Sequence, residues 1–224
     1  MALILHIDTA VQSASVCLAE NENILGTKVN PAEKESASWL HVAIQQLLLE
    51  NGLELKTLDA VAISAGPGSY TGLRVGMAAA KGLCYAISKP LITINTLQMM
   101  AASVQLPATE LLCPMIDARR MEVFTAVYNT NLEEIMPATN LILEESSFTD
   151  LLDVHTLSFF GNGSAKASPL IRHKNASFIS VTSTAENMLS LAAKRFSEGQ
   201  FANLAYAEPY YGKDFHSPIS KKNY

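Results

Sequence analysis

The chain has 224 residues, of which 49% are hydrophobic and 17% are charged, a balance that excludes an intrinsically disordered protein. Its formal net charge of -5 is not typical of a protein whose main surface binds nucleic acid, because such surfaces carry clustered Lys and Arg. No stretch is apolar for long enough to span a membrane, and the first residues lack the features of a signal peptide, so we expect a cytoplasmic location.

The sequence pattern of residues 1–106 predicts a mixed α/β unit that begins with three short strands. Apolar runs separated by Asn-rich turns predict these strands. Helix caps and apolar residues at helical spacing then predict helices that alternate with two further strands. In chain order, we expect strands at 3–7, 13–19 and 24–29, a helix at 39–50, a strand at 59–64, a helix at 73–88, a strand at 91–94 and a helix from 95 or 96 to 104.

The second half of the chain repeats the order of the first. An apolar strand leads to Asp117 as the first strand leads to Asp8, and a second strand and an Asn-rich turn follow in both places. Chance repetition of strand, turn and strand is common, so the sequence alone is compatible with both a duplication and a coincidence. We predict two subdomains, at 1–106 and 107–224, on either side of the stretch QLPAT.

A glycine-rich stretch, SAGPGSYTGLRVG, joins the strand at 59–64 to the helix at 73–88. Backbone N–H groups at such a strand-to-helix turn can bind a phosphate. The stretch lacks the Lys and Ser or Thr of a P-loop, and its glycines at 66, 68 and 72 do not have the spacing of a dinucleotide fingerprint. The alternative is close packing of the backbone, which glycine permits.

The helix that follows the glycines has one face of small residues, which suits close contact with another helix. Its partner could be the helix at 39–50 or a second protein chain. Arg74 opposes the helix dipole, so it can meet a carboxylate, a phosphate or a partner, or remain solvated. A bulky residue at Gly76 should then abolish pairing and leave the chain folded. The predicted partner interface consists of Trp39, Leu40, Ala43, Leu47, Gly72, Arg74, Gly76, Ala79 and Leu83.

Three segments, IDTA, SAGPGSYTGLRVGMAAAKGL and IDARRMEVF, together resemble the TsaB (YeaZ-type) family closely. The segment EPYYGKDF at 208–215 is similar to the C-terminal motif of that family, and the resemblance covers most of the chain in order. It implies an α/β fold of the actin, Hsp70 and sugar-kinase-like (ASKHA) type, duplicated in two subdomains that each have a mixed β-sheet and flanking helices. Asp8 and Asp117 would then open equivalent turns.

The resemblance also implies a non-catalytic subunit for threonylcarbamoylation of the adenosine beside the anticodon of tRNA. The catalytic paralogue, TsaD, places a His-x-x-x-His metal pair where this sequence has Thr96 and Met100. The five histidines are scattered without ligand spacing, so we expect no metal and no catalytic residue. The implied partners are TsaD and the ATPase TsaE, with tRNA contacted only through that complex, and the isolated chain is expected to form a homodimer.

An ATPase or phosphotransferase is the alternative function. In ATPases of this superfamily the equivalent turns surround phosphates and metal, and a glycine loop approaches adenosine. The polar residues that would complete such a site are not evident, so we predict no cofactor and no tight ATP binding by the isolated chain. A peptidase is disfavoured, because Ser69 and Thr71 are better explained as helix caps than as nucleophiles. The candidate nucleotide-binding residues are Asp8, Thr9, Asp117, Gly161 and Gly163.

Overall fold

Two mixed β-sheets with the same strand order organise the chain, and the computed structural model describes residues 2–11, 13–32 and 36–212. The strand order is β3-β2-β1-β4-β5 in the first sheet and β8-β7-β6-β9-β10 in the second. The strands are β1 (Leu3–Asp8), β2 (Ser15–Glu20), β3 (Asn23–Val29), β4 (Ala60–Ser64), β5 (Leu91–Ile94), β6 (Glu110–Asp117), β7 (Glu122–Tyr128), β8 (Glu134–Ile142), β9 (Thr156–Phe160) and β10 (Ala176–Phe178).

The two sheets also agree in strand direction. In each sheet the first three strands form an antiparallel meander, and the last two run parallel to the first strand. The weak internal repeat in the sequence is therefore a duplication of the backbone.

Helices cover the faces of both sheets. Ser69 and Asn95 cap the second and third helices through their side chains, as their residue types favour. Across the described residues, no helix combines the length and the apolar character needed to cross a bilayer. The helices are α1 (Ser36–Glu50), α2 (Tyr70–Ile87), α3 (Thr96–Ala101), α4 (Thr149–Leu152), α5 (Ser164–Ala167) and α6 (Leu189–Ser197), with 3-10 helices at Leu55–Thr57 and Ala185–Met188.

β1 and β4 are buried along their whole length, because they lie in the middle of a sheet that is covered on both faces. Successive side chains of a strand point to opposite faces. On one face, Leu5 and Ile7 of β1 pack in a cluster with the apolar residues of α1 and α2. On the other face, Ile4 belongs to a cluster that includes Met188 and also Phe160 of the second sheet. The two sheets therefore share part of their core.

The predicted subdomain boundary at 106 and 107 falls in the connection between α3 and β6. The C-terminal part of the chain, however, returns to the first sheet. The Arg195 side chain donates a hydrogen bond to the carbonyl oxygen of Thr93 in β5, and Ala202 pairs with Leu91. The limits 1–106 and 107–224 stay a prediction, and residues between about 185 and 211 provide contacts to the first half.

Candidate functional site

The glycine-rich loop between β4 and α2 packs closely against the turn that follows β1. The Thr9 hydroxyl donates a hydrogen bond of 2.7 Å to the carbonyl oxygen of Gly72. A Cβ atom on Gly68 would collide with Ala10, and a Cβ atom on Gly72 or Gly76 would collide with Thr9. Close approach of two backbone segments therefore explains these glycines.

Three backbone N–H groups of the loop and the first helical turn, those of Gly66, Ser69 and Gly72, have partners within the chain. Gly66 N–H donates to the Thr96 hydroxyl oxygen at 3.0 Å, and Ser69 N–H donates to the Ala10 carbonyl oxygen at 2.8 Å. The Ser69 hydroxyl accepts from Gly72 N–H at 3.3 Å, which confirms that Ser69 caps the helix. A phosphate would have to displace these bonds, so the packing interpretation is favoured.

Asp8 and Asp117 occupy equivalent positions at the ends of β1 and β6. Each carboxylate accepts a hydrogen bond from the backbone N–H two residues further on, Ala10 at 2.9 Å and Arg119 at 2.6 Å. The duplication therefore extends to the hydrogen bonding of the turns.

The surroundings of these two carboxylates differ. Asp8 is fully buried; its Oδ1 accepts from the Ser64 hydroxyl at 2.5 Å, and its Oδ2 has no hydrogen-bond partner among the described residues. Burial raises the pKa of Asp8 to about 6, against the effect of the bonds from Ser64 and Ala10. For the exposed Asp117, partial burial acts to raise the pKa, but the 2.6 Å hydrogen bond and the charge of Lys166 lower it overall.

A cleft of about 500 Å³ lies between the two halves of the chain. Its wall combines the turn after β1, the loop after β9 and the segment that precedes the 3-10 helix Ala185–Met188. Among the described residues, none of the side chains that line it is charged, so these residues offer no cation for phosphates and no carboxylate for a metal. Its hydroxyl groups come from Ser13, Ser164, Ser168, Ser180, Thr182 and Ser183.

The structure does not bring the five candidate nucleotide-binding residues together in this cleft. Gly161 lines it, whereas Gly163 is buried against the end of β6. Asp8 and Thr9 are buried in the first half, and Asp117 lies exposed outside the lining. The hydroxyl groups that do line the cleft come from segments far apart in the chain, and no sequence motif marks them.

Thr96 and Met100 lie on α3, where the catalytic paralogue is expected to hold a metal. The Thr96 hydroxyl binds the Gly66 backbone, and Met100 reaches the cleft beside Gly161. Hydroxyl and thioether groups at these two positions do not fit an iron or zinc site. Over the ranges 2–11, 13–32 and 36–212, no three His, Cys, Asp or Glu side chains come together so that they could hold a metal ion.

The predicted partner interface consists of both buried and exposed residues. The buried residues support the helices, and of them only Ala79, which is 7% exposed, lines the groove described below. The expectation that a bulky residue at Gly76 would leave the chain folded is wrong, because even a Cβ atom there would collide with Thr9. The buried residues are Leu40, Ala43, Leu47, Gly72, Gly76 and Ala79, whereas Trp39 and Leu83 are partly exposed and Arg74 is exposed.

An apolar groove of about 430 Å³ lies between α1 and α2 on the outer surface. Its α1 side is lined by Ala37 and His41, and its α2 side by Val75, Ala78, Ala79, Gly82 and Leu83, of which Ala79 and Leu83 belong to the predicted interface. A Cβ atom on Gly82 would have no other atom within 4 Å, so this part of the helix is open. Ala78 and Gly82 are not among the residues predicted for the interface, although their spacing of four residues places them on one side of the helix.

Comparisons with known proteins agree on one family. The model of the TsaD family, described as tRNA N6-adenosine threonylcarbamoyltransferase, matches residues 22–214. The chain is 29% identical over 220 residues to the tRNA threonylcarbamoyladenosine biosynthesis protein TsaB of Escherichia coli, over 93% of each chain. It is also 29% identical over 145 residues to TsaB of Bacillus subtilis, over 63% of each chain. The solved structure of YeaZ from Pseudomonas aeruginosa superposes with a TM-score of 0.80 at 25% identity, over 94% of this chain and 100% of that one.

The superposition with YeaZ covers both sheets and, with their shared strand order, confirms the predicted ASKHA-like fold class. The family model extends over most of both sheets, and the Escherichia coli relative aligns with nearly the whole chain. The chain therefore belongs to the TsaD family and, within it, is a protein of the TsaB (YeaZ) type.

Proposed function

We propose that this chain serves in the biosynthesis of threonylcarbamoyladenosine in tRNA, as a non-catalytic partner of a TsaD-type transferase. The names of its TsaB relatives support the pathway, and the match to the transferase family supports a paralogous partner. One structural observation carries the non-catalytic role. At Thr96 and Met100 the chain has a hydroxyl that binds the glycine loop and a thioether that lines the cleft, and neither suits a metal.

We propose the groove between α1 and α2 as the docking surface for the transferase. On the same two helices Val42, Leu49 and Tyr85 are 52%, 69% and 81% exposed, so apolar side chains are open to solvent in addition to those that line the groove. A transferase of the same fold would offer a helix pair of similar shape. The same surface would allow the chain to form a homodimer when the transferase is absent. In the complete complex a TsaE-type ATPase joins this pair in the cytoplasm, and tRNA is bound through the complex.

A modification assay tests the proposal. The chain is combined with the TsaD-type and TsaE-type proteins of the same cell, a supply of the activated threonylcarbamoyl donor, and unmodified tRNA. Mass spectrometry of the digested tRNA then measures threonylcarbamoyladenosine with and without the chain. We expect co-purification with the TsaD-type protein and modification that depends on the chain. Full modification in its absence would contradict the proposal.

The cleft between the two halves is the observation that favours a second function, an ATPase or phosphotransferase. Its volume of about 500 Å³ is sufficient for a small ligand, but the described residues of its lining provide no charged group for phosphates or Mg²⁺. Calorimetry of the isolated chain with ATP and Mg²⁺ separates the two functions. Tight, metal-dependent binding would support the enzyme, and we expect none.

A further inference from the structure

Arg74 lies on the exposed side of α2 beside two tyrosine rings. Its guanidinium carbon is 4.3 Å from the centre of the Tyr70 ring and 6.0 Å from that of Tyr211. Its Nε donates a hydrogen bond of 3.1 Å to the Tyr211 hydroxyl. The helix begins at Tyr70 rather than at the predicted Leu73, so Arg74 lies in its second turn and the dipole has less influence. The tyrosines thus hold the guanidinium in place before any partner arrives.

The C-terminal segment that provides Tyr211 is fixed on α2 and β4. Lys81 donates a hydrogen bond of 2.9 Å to the carbonyl oxygen of Ala207. Tyr210 N–H donates to the carbonyl oxygen of Ala65 at 2.7 Å. These bonds give a structural role to the first half of the EPYYGKDF motif, because they place one of its tyrosines against the arginine.

The two helices that border the groove offer no carboxylate to this arginine. Their single acidic side chain, Glu50, pairs with Lys28 at 2.8 Å. Arg74 and Lys81 therefore give these two helices a small positive charge, on a chain whose formal net charge is -5, while the exposed Glu208 lies in the C-terminal segment that contacts α2. A symmetric contact between two copies would bring the same helices together and leave the guanidinium without a carboxylate from them.

We infer that Arg74, held by Tyr70 and Tyr211, is a specificity-determining residue that selects a partner with a carboxylate at the matching position. The inference rests on the proposed function, and the occupant is an acidic patch of the TsaD-type partner rather than a second copy of this chain. Two guanidinium nitrogens can bind both oxygens of one carboxylate, a geometry that lysine lacks. Because the guanidinium is already oriented, less side-chain entropy is lost on binding.

The test compares the full-length chain with Arg74→Ala, Arg74→Lys and Tyr211→Leu. Arg172→Ala, which removes an exposed arginine in the second half, is the matched control. Biolayer interferometry measures affinity for the TsaD-type protein at low and high salt, and sedimentation velocity measures self-association. We expect Arg74→Ala to weaken the heteromeric complex about tenfold or more at low salt. Arg74→Lys should restore only part of this loss, Tyr211→Leu should lie between, and self-association should be unchanged.

Each other outcome has a definite meaning. If Arg74→Ala binds the TsaD-type protein as tightly as the wild type does, the inference is overturned and the proposed function stands. If Arg74→Ala weakens self-association equally, the arginine does not discriminate between partners and the inference also fails. Reduced tRNA binding by the assembled variant complex, with unchanged protein affinity, would identify a phosphate as the ligand. A wild-type chain that forms no complex contradicts the proposed function itself.

Discussion

The Thr9 hydroxyl and the Gly72 carbonyl oxygen, 2.7 Å apart, tie the turn after β1 to the first turn of α2. Gly76 lies one helical turn further along, against the same threonine. The chain's own turn therefore covers the N-terminal half of the small-residue face of α2, at Gly72 and Gly76. Further along the same helix, Ala79, Gly82 and Leu83 line the open groove, and a partner can meet α2 there.

This relationship predicts opposite effects for alanine at two glycines of the same helix. Gly72→Ala should lower the free energy of unfolding by about 2 to 3 kcal/mol, because the methyl group collides with a backbone carbonyl that cannot rotate away. Gly82→Ala should be neutral or raise it by up to about 1 kcal/mol, since nothing lies near the added methyl. Urea unfolding followed by circular dichroism measures both. Equal destabilisation at the two positions would show that packing against Thr9 is not the cause.

The local features of this fold could be predicted from the sequence. The first strand, predicted at 3–7, is observed at Leu3–Asp8, because an apolar run with clear turn residues behind it is a local signal. The sequence predicts α2 from Leu73, three residues after its observed start at Tyr70, because the glycines interrupt the apolar periodicity, although Ser69 is recognisable as a cap. The direction in which its small face points depends on Thr9, which is distant in the chain. Helical periodicity identifies a face but not its neighbour.

The lining of the cleft could not be predicted either, because its residues are also distant from one another in the chain. Ser13, Ser164 and Ser183 meet there only because the two sheets share a core. The turn carboxylates, by contrast, belong to a repeated local pattern, so their equivalence could be seen in the sequence. The difference in burial between Asp8 and Asp117 could not be seen in the sequence, because it depends on which parts of the chain cover each sheet edge.

Asp8→Asn should change how stability depends on pH. The folded-state pKa of Asp8, about 6, lies above its ordinary value of 3.8, so the fold favours the neutral form. Its stabilising contribution is therefore complete at acid pH and is lost as the pH rises from about 4 to about 6. The difference between the two pKa values corresponds to roughly 3 kcal/mol.

Equilibrium unfolding of the Asp8→Asn variant and the wild type at several pH values provides the measurement. The free energy of unfolding of the variant minus that of the wild type should rise by about 3 kcal/mol between pH 4 and pH 7. Asp150→Asn, at an exposed position of α4, is the control and should show no such trend. A flat difference for Asp8→Asn would mean that the buried carboxylate titrates normally.

His6, two residues before Asp8 on β1, should have the opposite effect. It is buried, its Nδ1 lies 3.3 Å from the Cys17 carbonyl oxygen, and burial lowers its pKa from 6.5 to about 4. The fold favours the neutral ring, so its contribution is complete above about pH 6.5 and is lost as the pH falls toward 4. Between pH 6.5 and pH 4, the free energy of unfolding of His6→Gln should therefore rise by roughly 3 kcal/mol relative to that of the wild type. The control variant His41→Gln, at an exposed position, should show no such rise. A wild-type chain that loses no more stability than His6→Gln would contradict this.

The open groove between α1 and α2 leads to a test of docking that leaves the fold intact. Gly82→Arg places a long charged side chain where no other atom lies within 4 Å of a Cβ, so the free energy of unfolding should change by less than about 1 kcal/mol. The same side chain fills the groove, so affinity for the TsaD-type protein should fall at least about tenfold.

Ser190→Arg is the matched control for Gly82→Arg. It adds the same charge at an exposed position of α6, and α6 packs in the cluster on the opposite face of the first sheet from α1 and α2. Calorimetric titration with the TsaD-type protein compares the two variants, and urea unfolding verifies that both are folded. If Gly82→Arg binds as tightly as Ser190→Arg, the docking surface lies elsewhere. A loss confined to Gly82→Arg, with unchanged stability, places the partner in the groove.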